Sequence, residues 1–276
     1  VGVLIPDLEN VFATSIVSSL EDRLQRSGYS TLVCDYRQDP VREREKLEFL
    51  AERQVDGLVI MPLAGCADGI RRLQERGVPV VLLDRTVAGC ACDTVLTDNR
   101  KAAREAVDHL LRLGHRRIGL IGGPAGIQTA DERLAGYLDA HAARGIDADP
   151  ALRMAGAYDV ESGHRHASAL LAMEPPPTAL FVVNHEMTLG AAMALVERQV
   201  RIPGDMSVVG FDHRDLARVM TPPMSIVLQP LQEIGEAASE LLLDRMAGRR
   251  TGAPVLLRLP ARRIPGGSTG PPQRQS

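Results

Sequence analysis

Leu110-Leu111-Arg112-Leu113-Gly114-His115-Arg116-Arg117-Ile118-Gly119-Leu120-Ile121-Gly122-Gly123-Pro124 is the stretch on which the fold turns. It joins the end of a helix to a strand. Ala102, Ala103, Ala106, Val107, Leu110 and Leu111 recur at helical spacing, Asn99 is placed to cap that helix, and Gly114 ends it. Residues 118–121 are a continuous run of strand length that ends in the Gly122-Gly123-Pro124 turn. An apolar run without alternation predicts a strand covered on both faces, as in a parallel sheet flanked by helices.

The same alternation extends in both directions. Toward the N-terminus, residues 1–5, 31–34, 57–61, 80–83 and 95–97 read as strands. Between them lie a helix with Ile16, Val17, Leu20 and Leu24 on one face, a charged helix from Pro40 and a helix over 70–76. Toward the C-terminus, strands are expected at 154–157, 179–183, 207–211, 225–228 and 255–259, and helices at 133–143, 160–171, 186–199 and 230–247. The chain therefore reads as α/β, with two doubly wound, parallel-sheet Rossmann-like units. In such sheets ligands bind outside the carboxyl ends of the strands, so two units with those ends facing would enclose a cleft. Beyond Pro265 the Gly- and Pro-rich residues 266–276 are expected to be a disordered tail.

Composition removes several functions. The 276 residues are 45% apolar, enough for a large core, and 32 basic against 35 acidic side chains give a net charge of −3. That charge argues against a chain driven onto nucleic acid by its own field. Aromatic residues make up 3% and Trp is absent, which leaves little for base stacking. The longest apolar stretches, such as 78–83, are far below a membrane span. Four cysteines are too few for a disulfide framework, so a reduced, intracellular chain is expected.

Enzyme motifs do not appear. Neither Lys46 nor Lys101 stands in a phosphate-binding loop, and Gly119, Gly122, Gly123 and Gly126 miss the dinucleotide spacing. Leu189 stands where a zinc-protease helix starting at His185-Glu186 needs its second His. Cys90-Ala91-Cys92 has no partner pair nearby and is expected to be free thiols in a surface loop. His109 and His115 flank a helix end, where a cation suits the dipole. No catalytic residue, metal ligand or cofactor is assigned.

What remains is polar side chains just past the strands: Asn10 and Phe12, Asp84 and Arg85, Thr129 and Arg133, Tyr158 and Asp159, Asn184 and His185, Asp212 and His213. Any one alone reads as a helix cap or loop packing. Their recurrence past most strands of both units suggests a polar cleft with a few aromatic plates. Carboxylates and amides accept hydroxyl hydrogens, Arg donates to ring oxygens, and an aromatic face covers C–H surface. That chemistry suits a polyhydroxylated ligand.

Over residues 1–265 the chain resembles the effector-binding core of LacI/GalR-family bacterial transcriptional repressors, itself similar to type I periplasmic sugar-binding proteins. The resemblance rests on Val1 through Asp7 with Asn10 and Phe12, on Gln54 through Val59, on Thr97-Asp98-Asn99, and on Leu113 through Ile118. It also rests on Arg133 through Tyr137, Ile202 through Asp212, and Thr221-Pro222-Pro223. It implies an N-terminal subdomain of residues 1–97 plus 228–257 and a C-terminal subdomain of residues 98–227 plus 258–265, joined by three crossovers. It further implies effector contacts from Asn10, Phe12, Asp84, Thr129, Arg133, Tyr158, Asn184, His185 and Asp212. Arg133 and Asp212 match the most regular of these positions.

His185 stands where the family commonly has Asp, His213 replaces a usual polar residue, and Val11 replaces a frequent Pro. Two imidazoles near Arg133 suggest an acidic ligand or a pH-dependent site. The resemblance implies a cytoplasmic homodimer, with the helix over 16–24 and the one after it as dimer contacts. It implies no membrane, no enzymatic activity and a small-molecule effector, a sugar or a derivative. Operator DNA would be read only through an N-terminal headpiece expected to lie before Val1, since no starting Met is present. A secreted sugar-binding protein serving a transporter is the alternative, and a small-molecule enzyme is a third.

Overall fold

The computed structural model describes residues 1–63, 65–212 and 214–273. The backbone divides into two compact units, Val1–Thr97 with Pro230–Leu259, and Asp98–Gln229 with Pro260–Ser276.

The first unit holds β1 (Gly2–Ile5), α1 (Val11–Arg26), β2 (Leu32–Asp35), α2 (Pro40–Glu52), β3 (Leu58–Ile60), α3 (Ala67–Glu75), β4 (Val80–Leu83) and β5 (Asp93–Thr97). The second holds α4 (Asn99–Arg112), β6 (Ile118–Gly122), α5 (Gln128–Ala142), β7 (Arg153–Ala155), α6 (Val160–Leu171), β8 (Ala179–Val182), α7 (His185–Glu197), β9 (Ser207–Phe211), α8 (Arg214–Val219) and β10 (Ser225–Leu228). The chain then returns to the first unit with α9 (Leu231–Met246) and β11 (Leu256–Leu259), and to the second with β12 (Arg262–Ile264).

Each unit has a six-stranded sheet, ordered β11-β5-β4-β3-β1-β2 in the first and β12-β10-β9-β8-β6-β7 in the second. All pairings in the first sheet are parallel; in the second, β12 runs antiparallel to β10. Both faces are covered, which explains the unbroken apolar runs. Val3, Ile5, Val59 and Val81 pack with α1 and α9, while the alternate residues Leu4, Ile60 and Leu82 pack with α2 and α3. In the second unit α4 lies against α5 and α6 against α7. Glycine permits both approaches: a Cβ on Gly136 would meet the Arg100 carbonyl at 2.2 Å, and one on Gly190 the Val160 carbonyl at 1.9 Å.

Several expectations need correction. Residues 266–273 are not a loose tail. Ser268 is buried; its carbonyl accepts the Val208 amide at 2.9 Å and its hydroxyl accepts the Ser225 amide at 2.7 Å. Composition carries no trace of such pairings. The second and third crossovers fall at 229/230 and 259/260, two residues later than the sequence suggested, because Leu228 still pairs with Arg262 and Leu259 with Thr97. Helix α8 and strand β12 had no recognised signal. Asp98, not Asn99, caps α4, accepting the Lys101 amide at 3.3 Å. His115 is buried, burial holds its imidazole below the usual value, and its ring nitrogens hydrogen-bond with Thr178, Ser207 and Gly270. Cys92 is buried as well, and burial pushes the Cys66 and Cys92 thiols up to about 12. The apolar face of α1 (Ile16, Leu20, Leu24) packs in its own unit's core, which leaves only the opposite face of that helix exposed. Among the described residues no helix is long and apolar enough to cross a membrane.

Candidate functional site

In the second unit the site is built past the carboxyl ends of β6 to β9. Helix α5 carries Thr129 and Arg133, both buried. Arg133 is held on several sides: its Nε donates to Asn99 Oδ1 at 2.8 Å, one terminal nitrogen donates to the Val183 carbonyl at 2.5 Å, and the guanidinium lies over the Phe211 ring at 4.2 Å. The other terminal nitrogen makes no hydrogen bond among the described residues. It is not enclosed in the core, so its donors remain for an outside acceptor.

Asp212 follows Phe211 directly and has a left-handed backbone, φ 55°. Its Oδ1 accepts the Gln229 amide at 2.8 Å and its Oδ2 accepts from the Gln229 side chain. Desolvation raises its carboxyl above the usual range, against the Gln229 hydrogen bonds and the charge of Arg133. Arg133 and Asp212 therefore do share one neighbourhood, on and beside Phe211.

Asn184 caps α7, accepting the Met187 amide at 2.8 Å, and His185 opens that helix with Nδ1 3.4 Å from the Asp212 carbonyl. Tyr158, past β7, also has positive φ, 65°. Its ring lies on Gly123, where a Cβ would meet it at 2.3 Å, and its hydroxyl is 3.4 Å from Thr129 Oγ1. Thus Thr129, Tyr158, Arg133, Asn184, His185 and Asp212 all stand at one sheet edge. His213 lies outside the described residues.

In the first unit Asn10 caps α1, accepting the Ala13 amide at 3.1 Å, and Phe12 is half-buried against the core. Asp84 follows β4 with φ 67° and pairs with Arg85 at 3.5 Å. Behind them the buried Glu43 accepts the Leu63 amide at 2.7 Å; burial pushes its carboxyl up to about 7. A groove of about 720 Å³ between α2 and α3 carries mixed Arg and Glu side chains, Glu43 among them.

Sequence reasoning missed Asn99 and Gln229 as parts of the site. Gln229 follows β10 as Asn184 follows β8, so the same strand-end rule extended by one strand finds it. Asn99 was read as a cap and gave no other signal. Among the described residues no group of three or more His, Cys, Asp or Glu is arranged to hold a metal ion.

This fold and this edge chemistry define a periplasmic binding protein-like ligand-binding domain, and the model of that domain family matches residues 107–269. The chain is 32% identical over 251 residues to the repressor CytR of Escherichia coli K12, across 91% of this chain and 74% of that protein. A putative ribose operon repressor from Burkholderia thailandensis superposes with a TM-score of 0.86 at 35% identity, covering 95% of this chain and 97% of that one. A regulator from Enterococcus faecium, solved with bound ribose, gives 0.88 at 30% identity with 98% of each chain covered. The chain belongs to the LacI family of transcriptional regulators and corresponds to their effector-binding core, not to a secreted transporter component.

Proposed function

We propose that this domain senses a sugar or sugar derivative and, through that ligand, sets the DNA affinity of a cytoplasmic, homodimeric repressor. The observation that carries the reading is the partly committed Arg133. Its guanidinium is locked in place by Asn99, Val183 and Phe211, and one terminal nitrogen still has donors to offer. A preorganised donor of this kind binds a hydroxyl or ring oxygen with little ordering cost. Asn184, Asp212, Thr129 and His185 supply further polar groups at the same strand ends, and Tyr158 supplies an aromatic face. Ribose in the Enterococcus relative supports the ligand class.

Control follows from differential affinity: the effector favours whichever conformation makes more contacts with it. DNA contact is assigned to a domain outside these residues, consistent with the net charge of −3. The dimer contact is assigned to the exposed Met193 and Val196 of α7 and Val219 of α8. No catalytic step is assigned to the site.

A thermal-shift screen of sugars, sugar phosphates and nucleosides tests the reading. A ligand at a hundredfold excess over its Kd adds about 2.7 kcal/mol of stability. Failure of every polyhydroxylated compound to raise the melting temperature would remove it.

A further inference from the structure

Asn99 and Gln229 stand where the chain changes units. Asp98 is the first residue after the first crossover, and Gln229 is the last before the second. Both side chains, of Asn99 and of Gln229, are buried. Asn99 holds Arg133 by its Nε, at 2.8 Å. Gln229 takes both oxygens of Asp212, one through its amide at 2.8 Å and one through its side chain. Arg133 and Asp212 are thus each fastened to a different crossover. They are also fastened to each other: the Arg133 guanidinium lies on Phe211, and Asp212 is the next residue, its amide held by the Val227 carbonyl at 2.8 Å.

We infer that Asn99 and Gln229 are positioning residues that couple the effector edge to the two crossovers, so that a ligand on Arg133 and Asp212 sets both crossovers at once. The inference rests on the effector site proposed above. Its physical basis is the planarity of the guanidinium and the burial of the bonds. A ligand that reorients the free end of Arg133 must turn its Nε as well, and breaking the bond to the buried Asn99 side chain costs that side chain its partner. Neither residue needs to touch the ligand. Each acts through the charged side chain it holds.

A local cap would affect only its own crossover; a coupled pair affects both. Hydrogen exchange on the 276-residue chain separates these cases without any ligand. In Asn99→Ala, amide exchange is expected to quicken about tenfold at 98–101 and also at Gln229 and Leu231, the effect of losing one buried hydrogen bond. Asn99→Asp keeps the acceptor for Arg133 and should restore slow exchange at both. Gln229→Ala should quicken 98–101 in return, and it stands in if Asn99→Ala does not fold. Change confined to the substituted crossover overturns the inference. In a second arm, D-ribose at saturation should protect both crossovers in the wild type but only the unsubstituted one in each variant. Equal protection in wild type and variants also overturns it. If ribose does not bind at all, the sugar reading for this chain is weakened, while the ligand-free arm still decides the coupling.

Discussion

The Arg133 guanidinium lies 4.2 Å from the centre of the Phe211 ring, over the residue that precedes Asp212. A cation over an aromatic face gains electrostatic attraction, more so when shielded from water. Arg133→Lys keeps the charge but loses the planar fork that reaches Asn99 and Val183 together. Affinity for a hit from the ligand screen should fall by about ten- to a hundredfold, the equivalent of one or two charge-assisted bonds. Isothermal titration reads this directly, and wild-type affinity in Arg133→Lys would remove Arg133 from the site.

Glu43 makes stability depend on pH. Its carboxyl is raised from 4.5 to about 7 by burial, so the folded state prefers the protonated form. The contribution is present in full below the unfolded value and is lost as pH rises through 7. Glu43→Gln can still accept the Leu63 amide and carries no charge. It should raise stability at pH 8 by on the order of 1–3 kcal/mol and leave it nearly unchanged at pH 4.5. Urea melts at the two pH values check the difference; an equal effect at both would contradict it.

Ser268 is expected to matter although it lies close to the chain end. Its hydroxyl accepts the Ser225 amide and donates to the Val208 carbonyl at 2.6 Å. Ser268→Ala leaves two buried backbone groups without that partner and should cost about 1–3 kcal/mol. Removal of residues 266–276 should cost more. Chemical denaturation of both variants provides the measurement, with unchanged midpoints as the contrary result.

Val219, Val196 and Met193 expose large apolar surface in the second unit. If α7 and α8 meet a second copy, Val196→Glu with Val219→Glu should shift the protein to monomer while each monomer keeps its fold, since neither side chain belongs to the core. Sedimentation analysis with circular dichroism separates dissociation from unfolding. A dimer that survives both changes lies on another face.

The doubly wound architecture was legible because continuous strands such as β6, with Ile118, Leu120 and Ile121 all buried, leave no room for a solvent-facing side. The polar strand ends were legible by repetition, and the structure gathers six of them at one sheet edge. What composition hides is pairing. Nothing in a Gly- and Pro-rich segment announces that Ser268 sits between β9 and β10, and nothing near His115 announces Thr178 and Gly270 as its partners. Asn99 was mistaken for a cap because Asp98, one residue earlier, has the same chemistry for that task. Those contacts depend on residues distant along the chain, where local spacing carries no information.

Both sheets receive their outermost partners late: β11 completes one and β12 the other, both within residues 256–264. On the ribosome both segments are made after every other strand of their sheets. Although domains commonly fold in order of synthesis, here neither half can finish alone. Synthesis must pass β11 and β12 before either sheet is complete, and a nascent chain stalled short of residue 256 would expose two unfinished edges to chaperones.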